Sequence, residues 1–185
     1  MFAHPLTDDA ELRPLEPWQA TEFAAHVARA RDHLAPWLPW AVVNDDPEKA
    51  RVFLQDYADR LARDEGRLYG IWVDGVLSGG TLFRVFDTQA GVCEVGVWLG
   101  PEAEGRGLVT RAARHMIDWA VGVRGMTRVE WRTTPANERS LAVARRLGMR
   151  REGVLRSAFP FAGVRHDMEV WSLLAGEWPT GSSTT

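Results

Sequence analysis

The chain has 185 residues, a hydrophobic fraction of 45% and a net charge of -3. This charge gives no basic field for phosphate backbones, and one cysteine among five unclustered histidines predicts neither a disulfide nor a metal site. No apolar run reaches the roughly 18 residues of a membrane span, and the first residues show neither a basic n-region nor an apolar h-region. We therefore expect a cytoplasmic location and no membrane partner. One domain over residues 1–178 and a flexible tail over 179–185 are predicted.

The sequence predicts strands alternating with helices. Apolar residues at helical spacing indicate helices, β-rich runs indicate strands, and Asp74-Gly75 is a hairpin turn. In chain order the predicted elements are strand 12–15, helices 16–31 and 47–64, strands 67–73, 76–85 and 92–99, a long helix opening at Leu108, strand 127–134, helix 137–147, strand 149–155, and a strand pair 156–161 and 164–174. This order predicts an α+β (mixed α/β) fold.

A glycine-punctuated turn leads from strand 92–99 into the long helix. Gly105 and Gly107 let the backbone approach an anion closely, and the amides and dipole of the following helix favour phosphate. The turn lacks the P-loop pattern, and Thr110 stands where a GxGxxG motif has its third glycine. A phosphate-bearing ligand other than a nucleoside triphosphate or NAD is indicated, although an ordinary turn would have the same sequence.

Several stretches in this order and spacing resemble the GNAT superfamily of N-acetyltransferases, and within it the RimJ/RimL-like branch of ribosomal-protein N-terminal acetyltransferases. They read LAPWLPW, EVGVWLGPEAEGRGLVTRA, NERSLAVARRLGMRREGVLR and GVRHDMEVWSLLAGEW. The resemblance implies the GNAT fold, a mostly antiparallel twisted sheet of about 6–7 strands with a V-shaped splay, flanked by about four helices. The sequence departs from the family's pattern at Glu102, a position at which Gln or Arg is common in the family.

The resemblance also implies acetyl-CoA as co-substrate and no metal. The pantetheine arm would lie along strand 92–99, the pyrophosphate would lie over the glycine turn, and the amide Asn137 would contact the coenzyme while capping its helix. The residues implied to bind the coenzyme are Val97, Trp98, Leu99, Gly105, Arg106, Gly107, Leu108, Val109, Asn137 and Ser140.

Two residues are the catalytic candidates under this resemblance. Glu94 would accept the amine's proton through water, and Ser140 would return a proton to the leaving thiolate. A Glu paired with a neighbouring Arg and a Ser capping its helix are the structural alternatives. Cys93 is expected to be a buried strand residue and not a nucleophile.

The acceptor is expected to contact Trp37, Trp40 and His166, with a purely structural role open for each. The implied function is transfer of an acetyl group to a primary amine by direct attack, with a protein N-terminal α-amine as acceptor. A small-molecule amine acetyltransferase for an antibiotic or polyamine, a non-catalytic acyl-CoA-binding module and a succinyl donor are alternatives. A homodimer is one assembly that the chain could form, and nucleic acid is not expected as a partner.

Overall fold

The computed structural model describes residues 3–179, so the predicted tail, apart from Pro179, lies outside the described residues. The elements in chain order are β1 (His4–Pro5), β2 (Ala10–Pro14), α1 (Ala20–Arg29), α2 (Arg31–Leu34), α3 (Trp40–Val43), α4 (Pro47–Ala62), β3 (Arg67–Val73), β4 (Val76–Asp87), β5 (Val92–Leu99), α5 (Leu108–Gly122), β6 (Arg128–Thr133), α6 (Glu138–Arg146), β7 (Arg150–Phe161) and β8 (Val164–Leu174). This confirms the predicted mixed α/β class.

The strands and helices outnumber the prediction because short elements were missed. Within residues 3–179 there are eight strands in one sheet, against the expected 6–7, and six α-helices, against four. The two-residue β1 and the four-residue helices α2 and α3 account for most of the excess. Elements this short carry too few residues for a periodic signal.

The sheet is mixed, with the strand order β1-β2-β3-β4-β5-β6-β8-β7. Strand β2 pairs with β3, β3 with β4, and β8 with both β6 and β7, each time antiparallel. Strands β5 and β6 are parallel, and their register runs from Val92 opposite Arg128 to Glu94 opposite Glu130. Strand β5 itself continues to Leu99, so this ladder covers only its first residues, as the predicted splay requires.

One predicted boundary is wrong. Runs 149–155 and 156–161 were expected to be separate strands, but they form the single strand β7, which pairs with β8 from Arg150 to Phe161. The register shifts between Leu155 and Phe159, where Ser157 has a φ of 51°. This irregularity interrupts the alternation of side chains without ending the strand.

The chain divides into two compact units, each with its own packing. The first comprises the residues up to Phe83 together with Val97–Ala112, and the second comprises Arg84–Gly96 together with the residues from Ala113 onward. Strands β4 and β5 and helix α5 contribute residues to both.

The first unit has an aromatic-rich core. Phe23 on α1, Leu54 on α4 and Trp98 on β5 belong to one cluster of buried residues. Trp18, which lies within the predicted helix 16–31, is 78% exposed and belongs to a separate 3-10 turn, Pro17–Gln19, before α1 begins.

The second unit packs its part of α5 among apolar side chains. Met116, Ile117 and Ala120 are at most 1% exposed, and Trp131 on β6 is 2% exposed. The indole of Trp178 donates to Asp118 Oδ1 at 2.7 Å, which ties the segment after β8 to α5. Among the described residues, no helix combines the length and apolarity needed to cross a membrane, and no group of three or more potential ligands is placed to hold a metal ion.

Candidate functional site

The glycine turn before α5 has the conformation expected of an anion-binding loop. Gly105 and Gly107 have φ values of 77° and 73°, a region that disfavours side chains. A Cβ atom at either position would meet no heavy atom within 4 Å, so the space beside the loop is open. Helix α5 begins at Leu108, immediately after it, and the amides of a first helical turn have no intrahelical acceptor. These features fit the pyrophosphate of a coenzyme.

Arg106, predicted to bind the coenzyme, already has a partner in the first unit. Its Nη2 donates to both carboxylate oxygens of Asp9 at 2.6 Å. These hydrogen bonds lower the pKa of Asp9. The charge of Arg106 is therefore balanced by the carboxylate of Asp9.

Trp98, the middle residue of the predicted pantetheine segment, is held by a buried hydrogen bond. Its Nε1–H donates to Nε2 of His26 on α1 at 3.2 Å, and His26 is fully buried. Burial and the charge of Arg29 lower the pKa of His26 to about 4, which keeps the ring neutral and able to accept.

The β4 backbone packs closely against the same segment. A Cβ atom on Gly80 would lie 2.1 Å from Cη2 of Trp98, and one on Gly79 would lie 2.6 Å from the Trp98 carbonyl oxygen. The backbone N–H of Gly100 donates to the Ser78 carbonyl at 2.7 Å. Glycines at 79 and 80 therefore fix the position of residues 98–99.

Trp40, a predicted acceptor contact, belongs to an aromatic group. Its ring centroid lies 5.3 Å from Trp98, 5.7 Å from Phe23 and 5.7 Å from Phe53. Phe23 is fully buried, whereas Trp40 and Phe53 are half-buried and packed on the core. Trp37 is also half-buried, and its backbone N–H donates to the Leu34 carbonyl at 3.0 Å.

Glu94, the predicted base, lies in the second unit and is 5% exposed. Its carboxylate accepts from Arg84 Nε at 2.7 Å and from Arg84 Nη2 at 3.1 Å, and Arg132 Nε lies 3.7 Å from Oε2. This is the arginine pairing that the structural alternative anticipates. The two hydrogen bonds from Arg84 use two of the roughly four acceptor sites of a carboxylate, which leaves capacity for a further donor.

The ion pairs continue across the neighbouring strands. Arg132 and Arg128 both pair with Glu130 at 2.8 Å, and Arg128 also pairs with Glu152 on β7. The hydrogen bonds from Arg128 and Ser172 lower the pKa of Glu152 to about 2. Charges of alternating sign thus extend from Glu94 to Glu152.

Ser140, the predicted acid, lies in the first turn of α6. Its backbone N–H donates to Oδ1 of the capping residue Asn137 at 3.1 Å, as the capping prediction requires. Its Oγ accepts a hydrogen bond from the indole Nε1 of Trp131 at 2.9 Å. The Ser140 side chain is therefore positioned by a buried residue of β6.

His166, the third predicted acceptor contact, lies near the end of the β7–β8 hairpin. Its ring centroid is 6.5 Å from that of Phe159 and 6.4 Å from that of Phe161. All three side chains are half-buried. Cys93, by contrast, is fully buried, and burial raises the pKa of its thiol to about 12, which disfavours the thiolate.

Sequence reasoning missed four residues that position the candidates: His26, Gly80, Arg84 and Trp131. His26 lies three residues after the buried Phe23 on α1, a helical spacing that placed it on the apolar face. Arg84 on β4 contacts Glu94 on the neighbouring strand β5, and Trp131 on β6 contacts Ser140 on helix α6. Patterns within a single element do not reveal such pairs.

Comparison with known proteins shows extended similarity. Residues 10–150 match the sequence profile described as "Acetyltransferase (GNAT) domain". The chain is 30% identical over 182 residues to "Putative ribosomal N-acetyltransferase YdaF" of Bacillus subtilis (strain 168), covering 96% of this chain and 98% of that protein. It is 26% identical to the spermidine N(1)-acetyltransferase of Escherichia coli (strain K12), over 84% of this chain and 80% of that protein.

The fold matches a solved structure as well. RimL, a ribosomal L7/L12 alpha-N-protein acetyltransferase solved in complex with coenzyme A, superposes with a TM-score of 0.86 at 21% identity, covering 93% of this chain and 97% of that chain. At this identity the match is one of fold. The predicted fold is thereby confirmed.

Proposed function

The chain belongs to the GNAT acetyltransferase family, and from this premise we propose that it acetylates the α-amine at a protein N-terminus. Family membership makes the chain an N-acetyltransferase that uses acetyl-CoA as donor. The acceptor class is the proposal. It is supported by the near full-length similarity to a relative whose name refers to ribosomal N-acetylation.

The ion pairs of the first unit favour a peptide over a polyamine. The acidic residues 45, 46, 56, 59, 64 and 65 give the sequence the potential to hold a polycation, but three of them, 45, 64 and 65, have an arginine partner. Asp45 pairs with Arg31, and Asp64 pairs with Arg67 at 2.7 Å. Glu65 pairs with Arg63 at 2.9 Å. Acids neutralised in this way provide little field for a second or third ammonium group.

Under this proposal Glu94 and Ser140 carry the proton transfers. Glu94 takes the proton of the attacking amine through a water, and an α-amine with a pKa of roughly 8 needs only a modest base. Ser140 donates a proton to the departing sulfur. The strand segment Val97–Leu99 and the glycine loop hold the coenzyme, and Asn137 contacts it while capping α6.

The proposal is tested by following thiol release from acetyl-CoA with peptides that begin with Ser, Ala or Met, and with spermidine. We expect turnover on a peptide, with kcat/KM reduced about 100-fold by Glu94→Gln and by Ser140→Ala. Turnover on spermidine but on no peptide would reject the α-amine acceptor.

Glu130→Gln is the matched control for Glu94→Gln. Glu130 lies opposite Glu94 in the β5–β6 ladder and also pairs with arginines, but it has no assigned chemistry. If loss of an ion pair is all that matters, both variants should reduce turnover equally. A loss confined to Glu94→Gln supports the role of base.

A further inference from the structure

We propose that Trp131 is a positioning residue for catalysis, because its indole N–H orients the Ser140 hydroxyl as a proton donor to the leaving sulfur. This inference rests on the proposed role of Ser140. It adds a residue that neither the family similarity nor the sequence patterns point to. The observation that carries it is the hydrogen bond of 2.9 Å from Trp131 Nε1 to Ser140 Oγ.

The direction of this hydrogen bond is fixed by chemistry. An indole N–H can only donate, so Ser140 Oγ must be the acceptor. Trp131 is 2% exposed, so its N–H has no bulk water to which it could turn. Since one lone pair of Oγ is engaged by the indole, the hydroxyl proton of Ser140 points elsewhere and is available for donation.

The position of Ser140 is constrained a second time through its backbone. Asn137 Oδ1 accepts from the Ser140 N–H at 3.1 Å, which sets the start of α6. The backbone is therefore held by the cap and the side-chain oxygen by Trp131. With both fixed, the remaining freedom of the hydroxyl is the direction of its proton.

The indole also stabilises the charge that develops during the proton transfer. After the amine nitrogen has formed a C–N bond to the acetyl carbon, the C–S bond breaks and its electron pair goes to sulfur. The Ser140 proton moves to that sulfur, and a solvent water restores the hydroxyl. The amine's proton leaves through Glu94 to solvent, so protons balance. While the proton is in transit Oγ is partly negative, and a hydrogen bond to a charged group is stronger than one to a neutral group.

The test is a double-mutant cycle with Trp131→Phe and Ser140→Ala, in which kcat and KM for acetyl-CoA are measured with a saturating acceptor peptide. The Phe variant keeps a ring and removes the donor. We expect kcat to fall about tenfold in the wild-type background with little change in KM, and not to fall further in the Ser140→Ala background. An equal loss in both backgrounds would overturn the inference.

Trp171→Phe is the matched control. Trp171 lies directly opposite Trp131 on β8, is 7% exposed, and donates its own indole N–H to Glu169 at 2.8 Å. Its replacement removes an equivalent buried hydrogen bond whose acceptor is Glu169 and not Ser140, so kcat should be retained. A similar loss of kcat in this variant would show that any buried indole of this sheet has the same effect, and would reject a specific role of Trp131.

A spectroscopic measurement decides the matter if Trp131→Phe does not fold. In protein labelled with 15N-tryptophan, the Trp131 indole resonance should shift in Ser140→Ala while that of Trp171 stays in place. An unchanged chemical shift of the Trp131 indole in Ser140→Ala would overturn the inference. Full turnover by Ser140→Ala would instead reject the role of Ser140 itself, so the two failures are distinguishable.

Discussion

Two buried tryptophans, Trp98 in the first unit and Trp131 in the second, donate the same kind of hydrogen bond. They are 4% and 2% exposed, and their indole N–H groups lie 3.2 Å from His26 and 2.9 Å from Ser140. The acceptors differ. His26 is a fully buried neutral ring on α1, whereas Ser140 is a half-buried hydroxyl in the first turn of a helix.

The two pairs differ in what the acceptor can still do. The accepting nitrogen of His26 is Nε2, so the ring proton is on Nδ1, and burial leaves no route for exchange with substrate. That pair holds Trp98 in place. The hydroxyl of Ser140 accepts from Trp131 and retains a proton of its own to donate.

The largest effect on stability is expected where Trp98, the donor of the Trp98–His26 pair, packs against the backbone of β4. Gly80→Ala places a Cβ atom 2.1 Å from Trp98 Cη2 and 2.4 Å from the Tyr69 carbonyl oxygen. Neither neighbour can yield without moving a strand or a buried ring, so we expect a loss of about 3 kcal/mol in the free energy of unfolding, measured by urea denaturation.

Gly122→Ala is the control, because a Cβ atom there meets nothing within 4 Å in helix α5. It should leave stability unchanged or raise it by up to about 1 kcal/mol. Equal stability of Gly80→Ala and the wild type would mean that Trp98 is loosely held, in contrast to the fixed position assigned to it in the Trp98–His26 pair.

Some features of the candidate site could be predicted from the sequence and others could not. The glycine loop, the cap at Asn137 and the strand Val92–Leu99 were all predictable, because each is encoded within a few consecutive residues. The partners of Trp98 and Ser140 were not. His26 is 72 positions from Trp98, and Trp131 lies on a different element from Ser140.

The one wrong strand boundary, between residues 155 and 156, has a similar cause. The continuity of β7 depends on its pairing with β8, which spans the irregularity at Ser157. The residue pattern of 149–161 does not show the ladder with β8 that keeps them in one strand.

The Trp98–His26 pair should also make the stability of the protein depend on pH, because its acceptor can be protonated. The folded-state pKa of His26 is lowered to about 4 from 6.5, so the unfolded state binds the proton more readily between these values. Stability from this group is therefore fully present above pH 6.5 and is lost as the pH falls towards 4, by up to about 3 kcal/mol. Urea denaturation of the wild type between pH 7.5 and 4.5 should show the loss.

His26→Leu should lack this part of the pH dependence, because no group remains there to protonate. The stability difference between the two proteins should then shrink as the pH falls. Parallel pH profiles would indicate that His26 is solvated or charged in the native state, which would end its assignment as a closed, neutral acceptor.

At neutral pH, His26→Leu should cost about 2 kcal/mol, because the Trp98 N–H then remains buried without a partner. Replacing both residues, as in His26→Leu with Trp98→Phe, should cost less than the sum of the single changes. Denaturant midpoints of the three variants give the coupling. A strictly additive result would mean that the 3.2 Å hydrogen bond adds nothing to packing.

The smallest effect on stability is expected at the start of α6, which carries Ser140 of the Trp131–Ser140 pair. Asn137→Ala removes the acceptor of the Ser140 N–H, and loss of such a cap costs about 1 kcal/mol. Asn137→Asp keeps an acceptor and should restore stability. Because the freed first turn also loosens Ser140 Oγ relative to Trp131, kcat should fall in Asn137→Ala and recover in Asn137→Asp. Recovery of stability without recovery of kcat would mean that the Asn137 amide acts on the coenzyme directly, and that the cap alone does not place Ser140.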